Sequence, residues 1–206
     1  MRYTLYDIQQ MPRIPRLTLI NAISGFKSAN LVGTIGPDQT PNLAMFSSAV
    51  HIGSEPPLLG IITRPVDGAL KTTRHTYQNI KSNGFFTLNH VQEDILKAAH
   101  QTSAPYPDGD SEFDAVGLTP VYSELLPAPY VAESHIRIGL EYVEEYAIKA
   151  NNTLLIIGKV IELIIPDDCV DAQGNLDLAY AGTVALSGLD TYYKVEMLER
   201  LGYARV

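Results

Sequence analysis

The chain has 206 residues, of which 46% are hydrophobic and 18% are charged, and its formal net charge is −8. This composition predicts a globular protein with a substantial core, and the length is typical of a single domain that covers residues 1–206. The acidic balance argues against binding of nucleic acid through its phosphates, which needs a basic face, but it leaves room for one small phosphate in a local basic pocket.

The chain has one cysteine, Cys169, so no disulfide can form within it and nothing indicates an oxidising compartment. No apolar run reaches the twenty residues that a membrane-spanning helix needs, and residues 1–7 lack the apolar segment of a signal peptide. We therefore expect a cytoplasmic protein.

The first predicted elements are a helix and a hairpin. The helix has Pro15 in its first turn and ends at Gly25. Proline favours the first turn of a helix, and glycine favours its C-terminal end. An apolar strand over residues 29–35 then passes through the turn at residues 36–41 into a second strand that starts at Asn42. Strands joined by so short a turn must be antiparallel.

Small, hydroxyl-bearing and basic residues gather at the ends of the elements predicted between Pro41 and Asn89. A helix over residues 74–83, capped by Thr72 or Thr73 and terminated by Gly84, would direct its free N–H groups and positive dipole end at an anion such as phosphate. Arginines can add fork-shaped donors, and short side chains let a flat ring approach a strand. The predicted phosphate-and-ring site comprises Asn42, Leu43, Ala44, Met45, Phe46, Ser47, Ser48, Arg64, Arg74, His75 and Thr76.

The same residues also have a purely structural interpretation. Arg64 and Arg74 would then be solvated surface charges, Ser47 and Ser48 would simply end a strand, and His75 would only pack. The residue pattern by itself favours neither interpretation.

The second half of the chain is predicted to be rich in strands. A short helix over residues 92–100 precedes a polar loop at 101–112, which is either a lid or merely mobile. Alternation predicts a strand at 132–143, a continuous apolar run predicts another at 153–165, and a polar hairpin-like insertion follows at 167–178. The expected fold is mainly β with peripheral helices, in a Greek-key barrel.

Two aromatic features have alternative roles. Phe113 follows the polar loop, and an aromatic residue at such a place more often plugs the core. The tyrosines between Gly188 and Arg205 could cover a ligand or a subunit interface, or belong to an ordinary docked C-terminal segment.

Several other kinds of site do not fit the sequence. The five histidines and Cys169 show no metal-ligand spacing, so we expect no metal. A Gly-x-Ser-x-Gly elbow is missing, which argues against a serine hydrolase, and so is the Gly-x-Gly-x-x-Gly loop of Rossmann dinucleotide binding.

Four ordered blocks resemble the flavin reductase-like family of FMN-binding split barrels. They are Asn42-Leu43-Ala44-Met45-Phe46-Ser47-Ser48, Pro56-Pro57-Leu58-Leu59-Gly60, Arg74-His75-Thr76-Tyr77-Gln78-Asn79-Ile80 and Gly84-Phe85-Phe86-Thr87-Leu88-Asn89. The resemblance implies a split β-barrel homodimer with FMN at the subunit interface, its phosphate around the helix start and its ring against the Ser-Ser strand. It also implies an FMN-dependent oxidoreductase that accepts hydride from NAD(P)H, with no catalytic side chain assigned. The resemblance offers an alternative role for Phe113, since a Phe at this place in the family often packs near the flavin.

Two departures from the family pattern affect that expectation. The family's Lys-Asp-Thr helix start is here Arg74-His75-Thr76, which keeps the cation and the hydroxyl. The Gly-Asp-His run of NADH-using members is replaced by Asn151-Asn152-Thr153, so the hydride donor is open. The alternative is a non-catalytic protein that carries or senses flavin.

Overall fold

The computed structural model of the chain describes residues 1–64, 75–107 and 109–205. Helices in these ranges are α1 (Leu5–Gln10), α2 (Arg13–Ala22), α3 (His75–Asn83), α4 (Leu96–Gln101) and α5 (Glu112–Val116), with short 3-10 turns at Glu93–Ile95 and Asp167–Cys169. The strands are β1 (Lys27–Ser28), β2 (Asn30–Ile35), β3 (Pro41–Phe46), β4 (Val50–Ser54), β5 (Pro57–Thr63), β6 (Phe85–His90), β7 (Pro120–Val121), β8 (Tyr130–Val131), β9 (Arg137–Ile148), β10 (Thr153–Ile164), β11 (Ala185–Ser187) and β12 (Thr191–Tyr193).

Seven strands form one sheet in the order β3-β2-β6-β9-β10-β5-β4. All pairings in this sheet are antiparallel. Two smaller sheets join β1, β11 and β12, and β7 with β8. The predicted mainly β architecture with peripheral helices is confirmed. Among the described residues, no helix combines the length and apolar character needed to cross a membrane.

The core covers both faces of strand β2. Leu31 belongs to a buried cluster that includes Phe113, whereas its neighbour Val32 belongs to a second cluster with Ile80 and Phe86. Successive side chains of a strand point to opposite faces, so every residue of β2 is buried because both faces are covered.

The predicted hairpin and the predicted end of helix α3 are confirmed. Strands β2 and β3 pair antiparallel, with Thr34 opposite Asn42. Helix α3 ends at Asn83, and Gly84 has a φ of 81°, the left-handed conformation that favours glycine. The Gly84 N–H donates to the Ile80 carbonyl at 2.8 Å and closes the helix. The predicted caps at residues 72–73 lie outside the described residues.

The strand predicted over residues 132–143 is wrong at both ends. Strand β8 stops at Val131, and the chain turns where the Ser134 N–H donates to the Val131 carbonyl at 3.1 Å. The Ser134 hydroxyl also donates to the His90 carbonyl, so it competes with the strand ladder. Strand β9 starts at Arg137 and continues to Ile148, because β10 pairs with it along its whole length.

Several other boundaries differ from the prediction. Strand β4 was not predicted, and helix α2 begins at Arg13, two residues before Pro15. Helix α5 begins at Glu112, the last residue of the predicted loop 101–112. The predicted helix at 92–100 is a 3-10 turn followed by α4.

Candidate functional site

A cavity of about 690 Å³ lies between strand β3, the end of β5 and the start of helix α3. Its remaining walls come from the loop before α5, from α5 itself and from the C-terminal part of the chain. The residues that line it are Asn42, Ala44, Met45, Phe46, Ser47, Ser48, Ile62, Thr63, Arg64, His75, Thr76, Thr102, Ser103, Ala104, Pro105, Tyr106, Pro107, Glu112 and Leu189.

The structure brings nine of the eleven predicted site residues to this cavity. The first exception is Leu43, whose side chain is buried in the core beside Leu31 and Phe113. The second is Arg74, which lies outside the described residues.

Strand β3 presents its outer edge to the cavity. It ends the seven-stranded sheet and, among the described strands, pairs only with β2, so alternate residues turn their N–H and C=O groups away from β2. The Pro41 carbonyl accepts from the Ser111 hydroxyl at 2.7 Å, and the Leu43 N–H donates to Glu112 Oε2 at 3.0 Å, which identifies the outward-facing series. Met45 is the next member of that series, and it lines the cavity.

A buried polar network fixes helix α3 against the start of β3. Asn42 Nδ2 donates to Thr34 Oγ1 at 3.1 Å and to Thr76 Oγ1 at 3.3 Å, and Asn79 Nδ2 donates to the same Thr34 oxygen at 3.1 Å. In these contacts the Thr76 hydroxyl only accepts, so its own proton can be donated to a ligand. The network therefore places His75 and Thr76 at the Asn42 end of the cavity.

Asp38 adds a negative charge close to His75, at the Asn42 end of the cavity. The pKa of its carboxyl lies below the ordinary value, first because the Thr40 N–H and hydroxyl bind the carboxylate, and further because His75 is close by. A carboxylate thus stands on the solvent side of the helix start.

Ser48 and Arg64 lie at the other end of β3. The Ser48 hydroxyl donates to the Ile62 carbonyl at 2.8 Å and accepts from the Ile62 N–H at 3.2 Å, so its proton is already used. Ser47 and the exposed Arg64 have no side-chain hydrogen bond or ion pair with a described residue. Arg64 places a cation on the wall of the cavity.

The predicted anion contacts line one cavity. Thr76 contacts Asn42 at the start of β3, and Arg64 follows the end of β5, whose Ile62 contacts Ser48. The walls from α3, β3 and β5 therefore bring polar and cationic groups to the same cavity.

The predicted site residues do not include the wall formed by residues 102–107, by Glu112 and by Leu189, although these residues lie in the loop considered as a lid and in the segment considered as a ligand cover. Glu112 is only 9% exposed, although glutamate is rarely buried, and no local pattern identifies its partner Leu43, 69 positions earlier. Phe113, the alternative candidate, is fully buried in the core and does not line the cavity, so the core role is the one the structure supports.

Among the described residues, no group of three or more His, Cys, Asp or Glu side chains is arranged to hold a metal ion. Cys169 is buried, and burial raises the pKa of its thiol above the ordinary value.

Known proteins resemble this chain over its full length. An uncharacterized protein of Deinococcus radiodurans is 29% identical over 215 residues, covering 100% of this chain and 93% of that protein. A crystal structure from Shewanella frigidimarina, of a protein assigned as a flavin reductase with a split barrel domain, is 41% identical with a TM-score of 0.92, covering 99% of this chain and 100% of that chain. This likeness confirms the predicted split β-barrel.

An FMN-binding protein of Thermus thermophilus, solved with bound 1-cyclohex-2-enone, has the same fold. Its TM-score is 0.73 at 14% identity, over 97% of this chain and 100% of that one. Residues 24–184 match the family described as flavin reductase like domain. The match covers most of the chain, which therefore belongs to the flavin reductase-like family.

Proposed function

We propose that this protein binds FMN in the cavity along β3 and acts as a flavin reductase-type oxidoreductase that accepts hydride from NAD(P)H. The observation that carries the proposal is a cavity bounded on one side by the edge strand β3 and lined by cationic and hydroxyl groups, in a chain of the flavin reductase-like family. Its volume of about 690 Å³ falls within the range of roughly 300–1,000 Å³ typical of cofactor and ligand sites. Bound FMN would supply the hydride-accepting ring, while the protein supplies position and access.

The ring is proposed to lie against Asn42–Phe46. Ala44 adds little bulk, and the outward N–H and C=O groups of Met45 match the hydrogen-bonding edge of an isoalloxazine. Leu43 contributes through its backbone, since its side chain is in the core.

The phosphate is proposed to be bound by Arg64, Arg74, His75 and Thr76, with Ser47 and Ser48 at the phosphate or the ribityl chain. Arginine binds phosphate through two parallel charge-assisted hydrogen bonds. Because the Ser48 proton is used on Ile62, Ser48 can only accept from a ligand hydroxyl, whereas Ser47 can donate.

The phosphate assignment is tested with two flavins. We expect Arg64→Ala and Arg74→Ala each to weaken FMN binding about tenfold, the loss expected for a charge-assisted hydrogen bond at a partly exposed site. Riboflavin, which lacks the phosphate, should bind equally well to these variants and to the wild type. Lys97→Ala, an exposed cation on α4, is the matched control. Unchanged FMN binding in both arginine variants would remove them from the site.

The hydride donor is tested by the visible spectrum. The purified protein, loaded with FMN, is mixed with NADH or NADPH without oxygen, and bleaching of the flavin bands supports the reductase. Failure to bind FMN at all would contradict the whole proposal.

One observation favours the second candidate function, a flavin carrier or sensor. The Asn151–Thr153 turn, which replaces the Gly-Asp-His run, joins β9 to β10 beside the end of β5, where Leu154 pairs with Thr63. No histidine stands there to approach a nicotinamide. Stable flavin colour in the presence of both nucleotides would support this candidate.

The active assembly is proposed to be a homodimer. No residue of α1 or α2 is buried, and Ile14 and Ile23 are 66% and 68% exposed. Burial of such apolar side chains against a second chain would be favourable. Sedimentation velocity over a range of concentrations should give the mass of two chains, and a monomer at micromolar concentration would contradict the proposal.

A further inference from the structure

Glu112 presents a buried carboxylate to the cavity. Its side chain is 9% exposed and lines the wall that faces β3. Oε2 accepts the Leu43 N–H at 3.0 Å, and no described residue forms a hydrogen bond with Oε1. One carboxylate oxygen is therefore fixed, while the other is open to a ligand.

The position of this carboxylate is set by its surroundings. The preceding residue, Ser111, donates its hydroxyl to the Pro41 carbonyl, and the following residue, Phe113, is fully buried in the core. Three successive residues thus fasten the start of α5 to β3. Glu112 does not need to reorganise in order to meet a ligand.

The chemistry of a carboxylate determines what it can bind. A carboxylate has no proton to give, so its open oxygen can only accept, and a ligand that binds it must supply an N–H or O–H donor. A phosphate dianion has no donor and would be repelled. FMN carries donors at the imide N–H of its ring and at the ribityl hydroxyls.

Glu112 also stands beside the proposed ring position. Leu43 and Met45 are successive outward-facing residues of β3, so the Glu112 contact lies about 7 Å along the strand from the Met45 backbone groups. A ring bound at Met45 would bring its donors within reach of Oε1.

We propose that Glu112 is a flavin-binding residue that accepts a hydrogen bond from an N–H or O–H donor of the cofactor. This inference rests on the proposed function.

Glu112→Gln tests the inference, because the amide oxygen can still accept the Leu43 N–H while the charge is lost. We expect the dissociation constants of FMN and riboflavin, measured by fluorescence titration, to rise tenfold or more. Asp114→Asn makes the same charge change at an exposed position of the same helix and should change neither constant more than twofold. Thermal unfolding of the flavin-free proteins reports on folding separately.

Lumiflavin, which has the ring but no ribityl chain, locates the donor. A tenfold loss of lumiflavin binding in Glu112→Gln identifies the ring imide, and a loss confined to riboflavin and FMN identifies a ribityl hydroxyl. Equal binding of all three flavins to the variant and the wild type overturns the inference, as does tighter binding of FMN alone, which would mean that Glu112 merely repels phosphate.

The wild type provides a second measurement if the variant does not fold. Its affinity should fall at least tenfold for either 3-methylriboflavin or lumiflavin relative to riboflavin, and retained affinity for both overturns the inference. If the wild type binds no flavin, the proposed function itself is wrong. The failure of the Glu112 inference can therefore be distinguished from the failure of the proposed function.

Discussion

The interior of the sheet differs from the terminal segments, residues 1–26 and 194–205, in the exposure of its apolar side chains. Ile80 of α3 is fully buried, and every residue of β2 is buried. In the terminal segments Ile14 is 66% exposed and Leu198 is 99% exposed. The interior is thus stabilised within one chain, whereas the terminal segments carry apolar surface that the described part of the chain leaves exposed.

The largest expected effect is the difference in the free energy of unfolding between alanine substitutions at Ile80 and at Ile14. Ile80→Ala removes a side chain packed with Phe86 and leaves a cavity, so we expect a loss of about 2–5 kcal/mol in the free energy of unfolding. Ile14→Ala should change it by less than about 0.5 kcal/mol when measured on the monomer. Urea unfolding at low protein concentration measures both, and equal losses would contradict the comparison.

The second expected effect concerns His90, at the end of β6. Burial lowers the pKa of this imidazole from its ordinary value of 6.5 to about 4. The unfolded chain therefore binds more protons than the folded chain between these two values, and stability is lost as the pH falls below about 6.5. The expected loss between pH 7 and pH 5 is about 2 kcal/mol.

The measurement for His90 is the pH dependence of urea unfolding. His90→Gln should lose about 2 kcal/mol less than the wild type between pH 7 and pH 5, because glutamine does not titrate. Between pH 7 and pH 8 the wild type and variant should change in parallel. Identical curves across the acidic range would show that His90 is not held neutral by burial.

The third prediction concerns the terminal segments. Ile14→Lys places a charge in the proposed interface and should raise the dimer dissociation constant at least about tenfold. Leu125→Lys, at a 59% exposed position between β7 and β8, is the matched control and should change it less than about threefold. Analytical ultracentrifugation measures both constants. An unaffected Ile14 variant would place the interface elsewhere.

What the sequence predicted well depends on local patterns. The β2–β3 hairpin follows from two apolar runs with a proline-containing turn between them. The end of α3 follows from Gly84, because glycine readily adopts the left-handed φ that terminates a helix. Strand β4, Val50–Ser54, has no comparable signal, because only its pairing with β5 makes it a strand.

The candidate site shows the same limit. Nine of the eleven predicted residues line one cavity, since they stand at the ends of elements that local patterns can locate. Glu112 could not be predicted, because its role depends on a contact with Leu43 across 69 positions. The commitment of the Ser48 proton to Ile62 was equally invisible, since it depends on how β5 lies against the end of β3.

The smallest expected effect separates the adjacent residues Ser47 and Ser48, which the sequence treats alike. Ser48→Ala removes both hydrogen bonds to Ile62 and should cost about 1 kcal/mol of stability, because a carbonyl and an N–H then lose their partner. Ser47→Ala removes no hydrogen bond to a described residue and should cost less than about 0.5 kcal/mol. FMN binding should show the opposite order. Ser47→Ala should bind FMN about threefold more weakly than the wild type, since of the two serines only Ser47 has a hydroxyl proton to give to the phosphate. Urea unfolding and FMN titration of both variants measure the two effects. If Ser48→Ala weakens FMN binding more than Ser47→Ala at equal stability, the Ile62 contact is not what occupies the Ser48 proton when flavin is bound.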